Sequence, residues 1–140
     1  MTTAIDTNVI VALCDRDENL SAPALAALEA ATQRGRLIVS APVFAELVAA
    51  PGREEVFVDS FLRDTGIAVE WDLGESVWRL AARAFRGYAG RRRKHPEPGP
   101  RRILADFLIG AHALARSCRL LTLDDRLYRS AFPALEIVTI

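Results

Sequence analysis

Four carboxylates in this chain stand where they could do chemistry together: Asp6, Glu46, Asp106 and Asp124. Asp6 closes the apolar run Ala4-Ile5 and is followed by Thr7, Asn8 and further apolar sequence, Val9-Ile10. A carboxylate at the end of a buried segment needs a use, because unpaired it costs several kcal/mol or takes up a proton. Carboxylates crowded together repel, and some then hold protons at neutral pH. A divalent cation resolves that conflict. All-oxygen ligation with retained waters suits Mg²⁺ or Mn²⁺, and such an ion can hold a phosphate, activate a water and stabilise a leaving oxygen. The chemistry implied is hydrolysis of a phosphodiester. Thr7, Asn8 and Thr122 can hydrogen-bond carboxylate oxygens and fix their orientation. Neither His95 nor His112 has the spacing of a zinc site, and the chain has no Walker A or GxGxxG motif.

The sequence pattern predicts the elements that must hold these groups. Residues 2–6 read as a short buried strand, 9–14 as one or two helical turns. Ser21 is placed to cap, and Pro23 to open, a helix over Leu20, Ala24, Leu25, Leu28 and Ala31, ended by Gly35. Residues 37–39 form a second strand. Ser40 and Pro42 start a helix with Val43, Leu47 and Val48 on one face, broken by Pro51-Gly52. A helix over 54–63 is expected to face Val56, Phe57, Leu62 and Phe61 inward, and 67–71 is a third strand. A helix over 76–88 carries Val77, Leu80, Ala81, Ala84 and Phe85 as its core stripe, and the Gly- and Pro-rich stretch 87–100 is expected to be a loop. Residues 103–117 are the most apolar helix, with small residues Ala105, Gly110, Ala111, Ala113 and Ala115 suited to close packing. A fourth strand over 120–123, a short helix over 124–131 and a last strand over 135–140 complete the chain. Strands alternating with helices give one α/β layer domain around a mostly parallel sheet of about five strands, with helices on both faces.

Right-handed crossovers put every β-to-α turn on one edge of such a sheet, and ligands bind there, outside the carboxyl ends of the strands. Asp6 and Asp124 end strands one and four. Glu46 lies one turn into the helix after strand two, and Asp106 in the first turn of the long helix. Taken singly, each has an ordinary reading: a strand end, a solvated helix surface, an N-terminal dipole partner, a helix cap. Their joint placement on one edge is what favours a site.

The totals fit that picture and limit it. At 140 residues, 51% apolar and 26% charged, the chain is one globular domain with room for a real core. No apolar stretch nears the ~20 residues that span a bilayer, and the N-terminus lacks the features of a secretory signal. Cys14 and Cys118 are isolated and flanked by apolar residues, which predicts reduced, buried thiols in a cytoplasmic protein. The formal net charge of zero is unevenly spread. Residues 86–102 hold seven bases (Arg86, Arg91, Arg92, Arg93, Lys94, Arg101, Arg102) and one acid, Glu97, leaving 11 bases and 17 acids elsewhere, a net of −6. An acidic cluster alone would repel a polyanion, so Arg91, Arg92, Arg93 and Lys94 are candidate contacts for one, although such a run is more often a solvated face.

The residues Ile5-Asp6-Thr7-Asn8, Val43-Phe44-Ala45-Glu46-Leu47, 105–113 and Leu121-Thr122-Leu123-Asp124-Asp125-Arg126-Leu127-Tyr128 together resemble the PIN-domain family. In particular they are similar to the VapC toxins of bacterial VapBC toxin–antitoxin systems. The resemblance covers nearly the whole chain, 1–140. It implies a Mg²⁺-dependent endoribonuclease in which Asp6, Glu46, Asp106 and Asp124 form the acidic site, with Asp6 and Asp106 as direct metal ligands. It also implies a homodimer held by a cognate VapB-type antitoxin, whose tail threads across the site. The stretch 87–100 is longer and richer in arginine than the resemblance implies. A same-fold DNA nuclease and a non-catalytic RNA-binding or assembly module are the rival readings. A phosphatase using Asp6 as nucleophile ranks below them, because that chemistry wants a second Asp two residues on, where Asn8 stands.

Overall fold

The computed structural model describes residues 1–15, 19–95 and 103–140. Five short strands alternate with seven helices among these residues: β1 (Thr3–Ile5), α1 (Thr7–Cys14), α2 (Ser21–Arg34), β2 (Leu37–Ser40), α3 (Ala41–Ala49), α4 (Glu55–Asp64), β3 (Ile67–Glu70), α5 (Glu75–Lys94), α6 (Leu104–Ala115), β4 (Arg119–Thr122), α7 (Arg126–Ala131) and β5 (Ile137–Thr139). The sheet order is β3-β2-β1-β4-β5, and every neighbouring pair is parallel, so the sheet is wholly rather than mostly parallel.

Successive strand residues point to opposite faces. Every residue of β1, β2 and β4 is buried. Both faces of the central sheet are therefore covered by helices, as a parallel sheet requires. The core between these layers is built from Ile5, Val9, Ile10, Ile38, Val39, Val43, Leu47, Phe107, Leu120 and Leu121, each no more than 2% exposed. The strand order reverses direction at β1, whose neighbours β2 and β4 are reached by connections leaving on opposite sides. Doubly wound sheets open a crevice at such a switch point, which here falls at Asp6. Among the described residues no helix is long and apolar enough to cross a membrane.

Several local expectations change. Residues 87–94 are not loop: α5 runs on to Lys94. Arg and Lys are good helix formers, and Phe85 and Tyr88 pack their rings against Phe107, with centroids 4.8 and 5.4 Å apart, which fixes this end of the helix against α6. The remainder of that stretch, 96–100, and Arg101 and Arg102 lie outside the described residues. In α4 the buried positions are Val58 and Leu62, one turn apart, while Val56 is 75% and Phe57 45% exposed. Only one face of an isolated helix can meet the core, and the Val58–Leu62 face won. Ser21 is the first helical residue rather than the cap of α2, and Ser40 stands at the N-cap of α3 without a side-chain cap bond. Cys118 is buried and Cys14 half-buried, both free thiols.

Gly110 shows why α6 carries small residues. A Cβ there would come within 2.4 Å of the Phe132 ring and 3.0 Å of Tyr128 Cδ1. The missing side chain lets α7 seat against α6, and it is Tyr128 of α7 that reaches the switch point.

Candidate active site

The carboxyl ends of β1 and β4 lie side by side, with Ile5 in register with Leu121. The next residue, Asp6, donates its backbone N–H to Leu121 O at 2.9 Å and carries its side chain into the opening between the strands. Only 6% of Asp6 is exposed. Two hydroxyls donate to the same carboxylate oxygen, Oδ2: Thr122 at 2.8 Å and Tyr128 at 2.9 Å. Burial pushes the Asp6 carboxyl up to about 6, against the lowering effect of those hydroxyls and the Thr7 backbone, and the charge of Asp106 adds to the rise.

Thr122 is shared. Its Oγ1 accepts from Asn8 Nδ2 at 3.4 Å and from the Asp124 backbone N–H at 3.1 Å. Asn8 Oδ1 accepts the Leu123 N–H at 3.1 Å, so this one side chain clamps the first turn of α1 to the end of β4. Thr7, the first residue of α1, donates its hydroxyl to Glu46 Oε1 at 2.7 Å, tying α1 to α3. Burial raises the Glu46 carboxyl, the Thr7 bond lowers it, and Asp106 again raises it. The charge of Asp106 is thus felt by both Asp6 and Glu46. Asp106 Oδ2 accepts the Ile103 N–H at 3.2 Å, closing the first turn of α6. Asp124 takes two parallel bonds from Arg126, Nε to Oδ1 and Nη2 to Oδ2, each 3.1 Å.

Asp6, Glu46, Asp106 and Asp124 line one cleft of about 490 Å³, together with Thr7, Asn8, Asp15 and Tyr128 and the apolar Val11, Ala12, Leu20, Leu123 and Leu127. The structure therefore brings together all four acids that the sequence pointed to. Thr7 and Thr122 bond carboxylate oxygens as expected, whereas Asn8 touches no carboxylate and acts through the Thr122 hydroxyl and the Leu123 backbone. Arg91, Arg92, Arg93 and Lys94 are elsewhere, in the last turn of α5. Sequence reasoning missed Tyr128 and Arg126. The spacing of Asp124, Arg126 and Tyr128 held a signal for both, since a short helix after β4 carries its first turn back over the strand end.

Among the described residues no three His, Cys, Asp or Glu side chains converge into a cage. The donors are separate carboxylates around an open cleft. That arrangement fits Mg²⁺, which keeps several waters and takes one or two carboxylates plus substrate phosphate rather than an all-protein cage. Asp6, buried and held by two hydroxyls through one oxygen, has the deficit of solvation that a cation offsets. His112 is not part of this: its Nε2 meets Glu70 Oε1 at 2.5 Å, burial lowers its pKa, and neither residue lines the cleft.

The family model for the PIN domain matches residues 3–133. Among solved structures, that of VapBC2 from Rickettsia felis bound to a DNA fragment from their promoter is similar at TM-score 0.69 and 19% identity, covering 100% of this chain and 99% of that one. VapBC-1 from nontypeable Haemophilus influenzae gives 0.66 and 19%, over 99% and 98% of the two chains. FitAcB from Neisseria gonorrhoeae gives 0.63 and 20%, over 98% and 96%. No curated protein matches the chain.

Proposed function

The chain belongs to the PIN domain family, and on that premise we propose that it is a metal-dependent endoribonuclease of the VapC type, the toxin half of a toxin–antitoxin pair. PIN domains are nucleases and generally use divalent metal ions. The observation that carries the reading is the convergence of Asp6, Glu46, Asp106 and Asp124 on one cleft at the switch point of a parallel sheet. Asp6 and Asp106 would hold Mg²⁺, with Mn²⁺ able to substitute. Bound there, the ion would neutralise a phosphate and lower the pKa of a water.

The chain's own residues do the rest. Thr122 and Tyr128 hold Asp6 in one orientation through Oδ2. Thr7 holds Glu46, whose raised carboxyl suits it to accept a proton from an attacking water. Asp124 stands at the β4 side of the cleft with its charge offset by Arg126, which takes both of its oxygens. Two of the similar solved structures are of VapBC2 and VapBC-1, which supports a VapB-type antitoxin as partner. A homodimer acting in the cytoplasm completes the reading.

The test is cleavage by antitoxin-free protein of a panel of cellular RNAs and matched DNA. Cutting of RNA is expected in Mg²⁺ or Mn²⁺, poor cutting in Ca²⁺, whose looser geometry positions the nucleophile less well, and none in EDTA. Activity that survives EDTA or Asp6→Ala removes the mechanism. Clean cutting of DNA alone keeps the mechanism and changes the substrate.

A further inference from the structure

The last three turns of α5 carry a surface that the acidic cleft does not use. Arg83, Arg86, Gly87, Gly90, Arg91 and Lys94 line a shallow groove of about 600 Å³ that ends at His95. Their spacing of three and four residues puts them on one helical face. Two glycines form its floor. Each costs ~1 kcal/mol against Ala in a helix interior, and neither has the positive φ that would demand glycine. What they supply is space. Nothing lies within 4 Å of a Cβ built on Gly90, and at Gly87 a Cβ would stand 3.3 Å from Arg91 Nη1, so the Arg91 guanidinium lies over bare backbone.

Like charges three and four residues apart on a helix destabilise it. Among the described residues no carboxylate pairs with Arg83, Arg86, Arg91 or Lys94. Four cations around a glycine floor thus give up helix stability for a face that fits an anion. The three guanidiniums suit phosphate oxygens, which they can take two at a time. Among the described residues that line the groove the one aromatic ring is that of His95, and none is Phe, Tyr or Trp, so cationic contact with a backbone outweighs base stacking there. The Phe85 and Tyr88 contacts to Phe107 hold this half of α5 beside the turn of α6 that carries Asp106.

We propose that this groove holds the phosphodiester backbone of the single strand whose scissile bond enters the acidic cleft. The proposal rests on the nuclease reading above. It answers an electrostatic problem of that reading, since a cleft of carboxylates repels the polyanion it must cut.

The experiment measures binding of a mixed-sequence single-stranded RNA to the full chain in EDTA, across a series of KCl concentrations. Replacing Arg91 and Lys94 together by Ser is expected to flatten the slope of log affinity against log salt by about 1.4, at ~0.7 per lost contact, and to do so for every sequence. Gly90→Glu places an acid in open space on a helix that tolerates it. It is expected to weaken binding at least tenfold with an unchanged melting temperature. Arg93→Ser, in the same run but off the groove, is expected to leave the slope alone. An unchanged slope for the double variant, or an equal flattening by Arg93→Ser, overturns the groove. So does loss of poly-glutamate binding with RNA binding intact, which would assign the face to an acidic protein. A single-stranded DNA arm with the same residue dependence supports the backbone assignment. Mg²⁺-dependent cleavage run in parallel separates the two readings. Cleavage by the wild type with an unchanged slope for the double variant overturns the groove alone, and a flattened variant slope with no cleavage by the wild type overturns the nuclease and leaves the groove.

Discussion

The acidic cleft and the basic stripe of α5 carry opposite charges and are built in opposite ways. The cleft acids come from β1, α3, α6 and the end of β4, four segments far apart in sequence, and hydroxyls and an amide hold Asp6 and Glu46 in place. The stripe comes from one helix, and its Arg83, Arg86, Arg91 and Lys94 are exposed. A buried charge keeps its field in salt, and an exposed one loses it beyond about 10 Å at 0.1 M. The cleft, centred on Asp6 at 6% exposure, is therefore the less screened of the two, whereas the stripe attracts at a distance and loses that pull in salt. In a nuclease that division places chemistry in the first and capture in the second. Each expectation below would break that division if it failed.

The largest effect is expected from Asp106→Asn. If Asp106 holds the metal as proposed, its loss should cut cleavage by roughly 10²–10⁴-fold, the range for removing one positioned acid or base. The fold should stay intact, because the Asn side-chain oxygen can still accept the Ile103 N–H. Apo stability should hold or rise, since Asp106 raises the pKa of both Asp6 and Glu46. Melting temperature in EDTA checks this. A drop of many degrees would make Asp106 a structural residue and misplace the site.

Next in size is a pH effect from Asp6. Its folded pKa is about 6 against an ordinary 3.8. A group whose pKa is raised by folding contributes stability that is fully present below the unfolded value and lost as pH rises through the folded one. The metal-free protein should thus lose up to roughly 3 kcal/mol between pH 3.8 and 6 from this carboxyl, and Asp6→Asn should remove that slope. Urea titrations at several pH values in EDTA measure it. A wild type whose stability rises across the same window by more than the Asn variant's would mean Asp6 is stabilised ionised.

Much of the cleft was legible because a parallel sheet puts every strand end on one edge, so four acids spaced along the chain had to meet. The apolar runs fixed all five strands to within a residue or two. What escaped was decided by tertiary contacts with no local signature. The stretch 87–94 read as loop from Gly87, Gly90 and the prolines beyond, but packing of Phe85 and Tyr88 on Phe107 carries the helix through. Val56 and Phe57 read as core because one helix offers several apolar faces, and only packing selects among them. Tyr128 escaped because a tyrosine on a short helix reads as core. Nothing local reveals that its hydroxyl reaches a carboxylate 122 positions away.

Tyr128→Phe sharpens the contrast by removing that hydroxyl alone. The ring is 2% exposed, and its pKa is raised by burial and by Asp6, so the hydroxyl stays a neutral donor. Partners that orient a metal ligand are worth 10–100-fold in affinity or activity. Thr122 still donates to Oδ2, so a loss of about tenfold in Mn²⁺ affinity is expected, read by calorimetry without substrate. The RNA salt slope should not move. A changed slope would mean that Tyr128 contacts RNA and that cleft and stripe are not separate devices.

The smallest effect should come from Arg126→Ala. This guanidinium takes both oxygens of Asp124, yet its side chain is 82% exposed. Exposed ion pairs contribute about 0–1 kcal/mol, so stability should barely change. Its role is local: it neutralises one cleft acid and places a positive charge where a cation must approach. Removing it should tighten Mn²⁺ binding, and because the pair is solvent-screened the gain should stay below about fivefold. The same change should leave the RNA salt slope unaltered, since Arg126 lies on α7 beside Asp124 rather than on α5. Weaker Mn²⁺ binding in the variant would show that Arg126 holds Asp124 in a ligating pose instead of competing for it. A flattened RNA slope would place a phosphate contact inside the cleft itself and end the division between capture and chemistry.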